Sequence, residues 1–107
     1  MSLELYREIR QAQECGEPRV LATVSSTLGS TPRKPGASML LRPDGSFIGP
    51  IGGGCGEAEV WQEAMETMLD GKPRIVTVDL TEPVEGEDKI CGGVMDIFIE
   101  RIVDPAQ

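Results

Sequence analysis

The chain has 107 residues, which suits one folded domain and is too short for two ordinary hydrophobic cores. Its net charge of −8 and the lack of a long Lys or Arg run argue against general nucleic-acid binding and against binding to anionic membranes. The sequence contains no histidine, so Ser-His-Asp triads, Cys-His pairs and HExxH zinc sites are excluded.

The N-terminal part of the chain predicts one helix followed by one strand. Between residues 3 and 15, Leu5, Ile9 and Ala12 recur at helical spacing, and Gly16 follows as a left-handed stop. The apolar run at residues 20–24 is typical of a strand buried on both faces. No stretch approaches the roughly 20 apolar residues of a membrane span, and the first residues are acidic rather than signal-like. We therefore expect a cytoplasmic protein.

A hairpin and a second helix are predicted next. Apolar runs at residues 38–41 and 46–48 flank the turn sequence Arg42-Pro43-Asp44-Gly45, as in a β-hairpin. The second helix follows residues 52–56 and ends before Gly71. Its predicted apolar stripe consists of Ala58, Trp61, Ala64, Met65 and Met68.

The C-terminal part predicts two strands, at residues 75–80 and 94–102, separated by an acidic loop at residues 81–88. The complete pattern predicts an α/β fold in a single domain over residues 1–107. We expect a mixed β-sheet of about five strands with two main amphipathic helices.

A loop predicted at residues 25–36 is suited to binding an anion. It combines two cations, Arg33 and Lys34, with the hydroxyl groups of Ser25, Ser26, Thr27, Ser30 and Thr31. Hydroxyls and amides donate short hydrogen bonds to phosphoryl oxygens, and a guanidinium group binds them bidentately. The alternative is a polar surface loop held open by two prolines.

A run of glycines, Gly52, Gly53 and Gly54, precedes Cys55 at the start of the second helix. Glycine lets the backbone approach a ligand closely, and the first free N–H groups of a helix favour an anion. The segment lacks the GxGxxG spacing of dinucleotide-binding folds. The alternative is a close-packed turn between strand and helix.

The three cysteines form an odd and sparse set, which favours reduced thiols over a disulfide framework. Cys55 lies where a helix start favours the thiolate. Cys91, followed by two glycines, is placed to approach the same pocket from the start of the last strand. The alternative for both is a buried, inert cysteine, and Cys15 is interpreted as a packing residue.

Two blocks of sequence resemble the XdhC/CoxI family. They read ATVSSTLGSTPRKPGASMLLRPDGSFIGPIGGGCGEAEV at residues 22–60 and CGGVMDIFIE at residues 91–100. The resemblance implies a maturation factor for xanthine dehydrogenase or carbon monoxide dehydrogenase. Such a factor binds the molybdenum cofactor (molybdopterin) transiently, assists its sulfuration and protects it until insertion. It is an accessory chaperone rather than a turnover enzyme, so no catalytic residue is expected.

The resemblance also implies a set of cofactor-binding residues and partners. The matching positions are Ser30, Thr31, Arg33, Lys34, Gly52, Gly53, Gly54, Cys55 and Cys91, with Cys55 as the residue expected to meet the metal. The implied partners are the molybdenum hydroxylase apoenzyme and a cysteine desulfurase or a separate Rossmann-domain subunit.

The resemblance also implies that many family members continue into a C-terminal Rossmann-type domain, and we expect this chain to be without it. Cofactor binding would then need a partner chain or a homo-oligomer. One alternative function is an interaction module that pairs with a Rossmann subunit or the hydroxylase and never binds cofactor. A further alternative is a small thiol enzyme in which Cys55 attacks and Cys91 resolves.

Overall fold

The computed structural model describes residues 3–29, 35–49, 57–79 and 93–104 of the chain. Its elements are the helices α1 (Leu3–Cys15) and α2 (Glu57–Asp70) and the strands β1 (Arg19–Gly29), β2 (Ser38–Leu41), β3 (Phe47–Ile48), β4 (Arg74–Asp79) and β5 (Gly93–Val103). The strands form one sheet in the order β3-β2-β1-β5-β4. The predicted α/β architecture with five strands and two helices is confirmed.

Every strand pairing in this sheet is antiparallel. The expectation of a mixed sheet is therefore wrong. Three of the four pairings join strands that follow one another along the chain, and a parallel pairing would need a crossover that returns the chain to the same edge. The fourth pairing joins β1 to β5, with Thr23 opposite Phe98.

The two helices cover opposite faces of the sheet. On one face, α2 packs on a core that includes Val20, Ala22 and Val24 of β1. On the other face, α1 packs with Leu21 in a smaller cluster formed by Leu5, Leu21, Leu40 and Ile48, with Ile9 and Ile102 beside it. Val20, Leu21, Ala22 and Val24 are thus buried, as predicted, whereas Thr23 is only partly buried. No helix in the described parts of the chain is long and apolar enough to cross a membrane.

The first strand is longer than the sequence predicts. The structure continues β1 to Gly29, so residues 25–29, predicted as loop, are strand. These residues pair with the start of β5, and a register shift lies between Val24 and Ser26. The pairing partner lies far along the chain, so the local excess of hydroxyl residues gave no sign of it. The hairpin of β2 and β3 and the bounds of α1 are as predicted.

The second helix is confirmed, but its buried stripe is rotated from the predicted one. Val60, Ala64, Thr67 and Met68 are buried, whereas Ala58 is exposed and Trp61 is 39% exposed. Trp61 instead contacts the β2–β3 turn, where its indole Nε1 donates a 2.8 Å hydrogen bond to Gly45 O. A tryptophan with an apolar body and a polar tip suits this half-exposed position.

Candidate functional site

One edge of the sheet, which we call the loop edge, contains the ends of β1, β3 and β4 and the starts of β2 and β5. At this edge Gly29 pairs with Gly93, and Asp79 pairs with Val94. Gly49 follows the last residue of β3. The described flanks of segments 30–34 and 80–92, and the residue that leads into segment 50–56, therefore all lie at the loop edge.

All nine predicted cofactor-binding residues lie outside the described residues: Ser30, Thr31, Arg33, Lys34, Gly52, Gly53, Gly54, Cys55 and Cys91. Each belongs to one of the three segments that join the sheet at the loop edge. Their sharing of one pocket stays a prediction. The connection of their segments to a common edge is a property of the topology, which the sequence alone did not establish.

The loop edge has a step. Strand β2 begins at Ser38, opposite Thr23, whereas β1 continues to Gly29, roughly 20 Å further at the usual rise of a strand. The chain later returns to β1 at Gly36, whose N–H donates a 2.8 Å hydrogen bond to Val24 O. The flanks of segment 80–92, Asp79 and Gly93, therefore lie beside the extended end of β1. Gly49 lies beside β2, where the sheet is shorter.

Ser38, a buried serine, contacts the flanks of two segments. Its hydroxyl donates a 3.3 Å hydrogen bond to Gly36 O. Its own carbonyl oxygen would lie 2.8 Å from a Cβ built on Gly49. The chain that leaves segment 30–34 is thus bonded to Ser38, and the chain that enters segment 50–56 passes close to the same residue.

Glycine is required at position 49. Its φ is +125°, a conformation that L side chains rarely adopt, and a Cβ there would also lie 3.1 Å from Met39 Cα. Because the obstacle is main chain of β2, no side-chain rearrangement could relieve it. Gly49, which leads into the glycine-rich segment, is therefore packed tightly against β2.

Asp96 links the three strands that extend beyond the step. Its carboxylate accepts hydrogen bonds from Thr77 Oγ1 on β4 at 2.8 Å and from Ser26 Oγ on β1 at 2.9 Å. These two hydrogen bonds, that of Thr77 first, hold the pKa of Asp96 below its ordinary value. The extension that carries Gly29 and Gly93 is thereby locked across β1, β5 and β4.

These hydrogen bonds change the expected role of two hydroxyls. Ser25 Oγ donates to Asp96 O at 3.0 Å, and Ser26 Oγ donates to the Asp96 carboxylate. Their inclusion with the anion-binding hydroxyls is therefore wrong, because each of them already donates its proton to Asp96. The part of the hydroxyl prediction that stays untested rests on Thr27, Ser30 and Thr31.

Metal ligands are not found within residues 3–29, 35–49, 57–79 and 93–104, where no group of three or more His, Cys, Asp or Glu side chains could hold an ion. The predicted metal contact, Cys55, lies outside these ranges. Cys15, interpreted from the sequence as a packing residue, is exposed instead. It is the last residue of α1, three residues beyond the buried Ala12.

The opposite edge of the sheet carries the ion-pair cluster, which we define as Glu8, Arg19 and Arg42. Arg19 Nη2 and Arg42 Nε lie 3.0 Å and 2.9 Å from Glu8 Oε1. The Arg42 guanidinium, with that of Arg19, holds the pKa of Glu8 below its ordinary value. A cavity of about 400 Å³ beside the cluster also touches Cys15. Since its charged groups bond to one another, we interpret this edge as structural.

The sequence did not predict the roles of two residues at the loop edge, Ser38 and Asp96. The pattern indicates Ser38 only as the first residue of an apolar strand. Asp96 interrupts the apolar alternation of β5 between the buried Met95 and Ile97, and that polar residue in an apolar strand was the available signal. Its partners could not be named, because they lie on two other strands.

These features define an α/β domain whose antiparallel sheet holds a hydroxyl-rich, basic segment and a glycine-rich, cysteine-containing segment at one edge. The chain belongs to the XdhC and CoxI family, whose family model matches residues 12–79. This membership confirms the resemblance drawn from the two sequence blocks.

Known relatives are considerably longer than this chain. It is 32% identical over 92 residues to the molybdenum cofactor insertion chaperone PaoD of Escherichia coli, covering 86% of this chain and 29% of PaoD. It is 34% identical over 89 residues to a probable xanthine dehydrogenase subunit of Bacillus subtilis, covering 80% of this chain and 27% of that protein.

A solved structure shares the fold. A crystal structure of a xanthine dehydrogenase from Bacillus halodurans matches with a TM-score of 0.82 at 32% identity, covering 95% of this chain and 31% of that chain. This chain thus spans less than a third of each of the three proteins.

Proposed function

We propose that this chain assists the maturation of a molybdenum hydroxylase, of the xanthine or carbon monoxide dehydrogenase type, by binding the molybdenum cofactor transiently at the loop edge. It acts in the cytoplasm as an accessory chaperone that supports sulfuration of the cofactor and its insertion into the apoenzyme. The family membership and the name of PaoD support this role. The name of the Bacillus subtilis relative supports xanthine dehydrogenase as the type of client.

The junction at Ser38 is the observation that carries the proposal. Lys34 lies two residues before Gly36, and Gly52 lies three residues after Gly49. Consecutive Cα atoms are about 3.8 Å apart, so both segments stay within reach of Ser38. Main-chain N–H groups of the glycine segment and the donors of segment 30–34 can therefore serve the same phosphate.

Charge makes segment 30–34 the decisive part of this site. The strand ends at the loop edge, residues 25–29, 35–38, 47–49, 77–79 and 93–96, contain no Lys or Arg. The cations of the three joining segments are Arg33, Lys34 and Lys89. An anionic cofactor on a chain of net charge −8 needs such a local positive group, and the fork of Arg33 suits a phosphate best.

The cysteines are assigned to the metal end of the cofactor. Molybdenum and its sulfur ligand suit a thiolate, and Cys55 lies two residues before the start of α2. Cys91 lies two residues before Gly93, which pairs with Gly29 at the loop edge. We assign the support of sulfuration to Cys55, with Cys91 as a second contact.

Anaerobic titration with isolated molybdenum cofactor tests the binding step. Arg33→Ala should weaken binding about tenfold, which corresponds to about 1.4 kcal/mol. Arg10→Ala is the matched control, because Arg10 is 83% exposed on α1 and should leave affinity unchanged. A wild type that binds no cofactor at low salt under reducing conditions, or equal affinities of the two variants, contradicts the proposal.

Maturation of a client hydroxylase tests the thiol step. Cys55→Ala should lower the fraction of sulfurated, active client, while Cys15→Ala, which changes an exposed cysteine at the other edge, should not. The alternative of an interaction module that never binds cofactor requires both Cys55→Ala and Arg33→Ala to leave maturation intact. A desulfurase partner and assembly into a homo-oligomer stay predictions, which co-purification and sedimentation measure.

A further inference from the structure

One surface of the sheet is left without a cover in the described part of the molecule. We call it the open face and define it by nine side chains on the side opposite α2: Thr23, Ser26, Leu28, Ile75, Thr77, Asp79, Val94, Asp96 and Phe98. The strand register places them in three rows across β1, β5 and β4. None of them belongs to the cluster that α1 covers.

The open face is apolar at both ends. In the outer row, Leu28 is 75% exposed and lies opposite the half-buried Val94. In the inner row, Ile75 is 67% exposed and lies opposite the half-buried Phe98. Two large aliphatic side chains this exposed, each beside a half-buried apolar residue on one uncovered sheet face, are typical of a surface that another protein covers.

A partner can cover the middle row without leaving its hydroxyl groups buried and without hydrogen bonds. Ser26 and Thr77 both donate to Asp96 across the strands, so their hydrogen bonds persist beneath a partner. The carboxylate of Asp96 keeps its charge and has no cation among the nine residues. A protein that covers this face should therefore present Lys or Arg beside an apolar centre.

The same charge argues against a second copy of this chain as the occupant. Two open faces in contact would place Asp79 and Asp96 against the same acids of the other copy, and like charges across an interface are repulsive. The relatives offer a different occupant. In the Bacillus halodurans protein the matched region is 31% of the chain, so most of that polypeptide lies elsewhere on the same molecule.

We propose that the open face is the docking surface for the protein domain formed by the part of the longer relatives that lies outside the matched region. That domain contacts Leu28, Ile75 and Phe98 with apolar side chains and Asp96 with a cation. Because the open face ends at Gly29 and Gly93, the docked domain also borders the loop edge. Docking at the open face does not require bound cofactor.

Protection of one introduced cysteine tests the proposal. Ile75→Cys is made in a chain whose three cysteines are replaced by serine, and the same chain replaces the matched region of the Bacillus halodurans protein. Alkylation at position 75 should be at least about tenfold slower in this fusion than in the isolated chain. Leu69→Cys is the control, because Leu69 is 83% exposed on α2, away from the open face, and its rate should not change. Equal rates at position 75 in a cooperatively folded fusion overturn the proposal.

A second measurement tests the proposal if the fusion does not fold. The part of the Bacillus halodurans chain outside the matched region is titrated into the isolated chain by calorimetry. Ile75→Lys and Asp96→Asn should each weaken binding about tenfold, whereas Leu69→Lys should not. Absence of binding, or equal binding of all variants, contradicts the proposal. A dimer of the isolated chain that Ile75→Lys dissociates would assign the face to a second copy and overturn it, as would protection of position 75 by the hydroxylase apoenzyme alone.

Discussion

The two edges of the sheet are built from different chemistry. At one edge, Arg19 is almost fully buried and bonds to Glu8, which also binds Arg42. At the loop edge, glycines with positive φ lie at or beside the strand ends, and hydroxyls bond to Asp96. The ion-pair cluster fastens α1 to the sheet through charges that bond to one another. The loop edge instead positions three segments that carry the cations, glycines and cysteines.

In this small domain, stability and ligand binding are assigned mainly to opposite edges of the sheet. A buried ion pair is costly to break but adds no binding group, so the ion-pair cluster serves stability. The loop edge uses main chain and neutral hydroxyls to fix the segment ends, and the proposed function assigns the cations of segment 30–34 to a ligand. Substitutions at the ion-pair cluster should therefore change stability without changing binding, whereas substitutions at the loop edge can change both.

The largest loss of stability is expected at the ion-pair cluster. Glu8→Ala removes the shared partner of Arg19 and Arg42 and should lower the free energy of unfolding by about 3 kcal/mol, because Arg19 stays buried. Urea unfolding measures this. Glu14→Ala, which removes an exposed pair with Arg10, should cost less than about 0.5 kcal/mol. Equal losses from the two variants would show that the cluster has no special structural role.

Gly49→Ala should give the next largest effect and sharpen the distinction between the edges. The added Cβ meets Ser38 O at 2.8 Å, and the φ of +125° strains any L residue, so we expect a loss of about 2 kcal/mol together with weaker cofactor binding. Gly36→Ala is the control. Its φ is +93° but nothing lies within 4 Å of its Cβ, so it should cost only about 1 kcal/mol. A Gly49→Ala variant with wild-type stability would refute the tight contact with β2.

The smallest effect is expected at Asp96, and it depends on pH. The folded-state pKa of Asp96 lies below the unfolded value, so its ionised form stabilises the fold above the ordinary Asp pKa. This contribution is lost as pH falls through the folded-state pKa. Asp96→Asn should thus be less stable than wild type at neutral pH, and the difference should shrink below about pH 4.

Urea unfolding at neutral and acidic pH checks this prediction. Glu59→Gln, on the exposed side of α2, is the control for removing one carboxylate and should match wild type at both values. A gap between wild type and Asp96→Asn that stays constant with pH would mean that the hydrogen bonds from Thr77 and Ser26 do not stabilise the charge.

The sequence predicted the parts of this fold that local patterns determine. The helix ending before Gly16 and the turn at Asp44-Gly45 follow from stop and turn residues within a few positions. The extension of β1 beyond Val24 could not be predicted, because its partner strand starts at Gly93. The exposure of Trp61 depends on Gly45, sixteen residues away in the chain.

In the candidate site, too, the sequence predicted what depends on local residue chemistry and did not predict what depends on strand pairing. Residue chemistry singled out Arg33, the glycine run and Cys55, and the family model supports the chain's membership. Strand order, which brings their segments to one edge, depends on the pairing of β1 with β5 and was out of reach. So was Ser38, whose importance lies in contacts to Gly36 and Gly49 rather than in its residue type.

The central claim is that segments 30–34 and 50–56 face one another in a single chain. Arg33→Cys in a Cys15→Ser, Cys91→Ser background leaves one introduced thiol and Cys55, which a short bismaleimide can bridge. We predict rapid cross-linking within one chain, seen by mass spectrometry at the monomer mass. A folded protein that forms no such bridge, with or without cofactor, would contradict the claim.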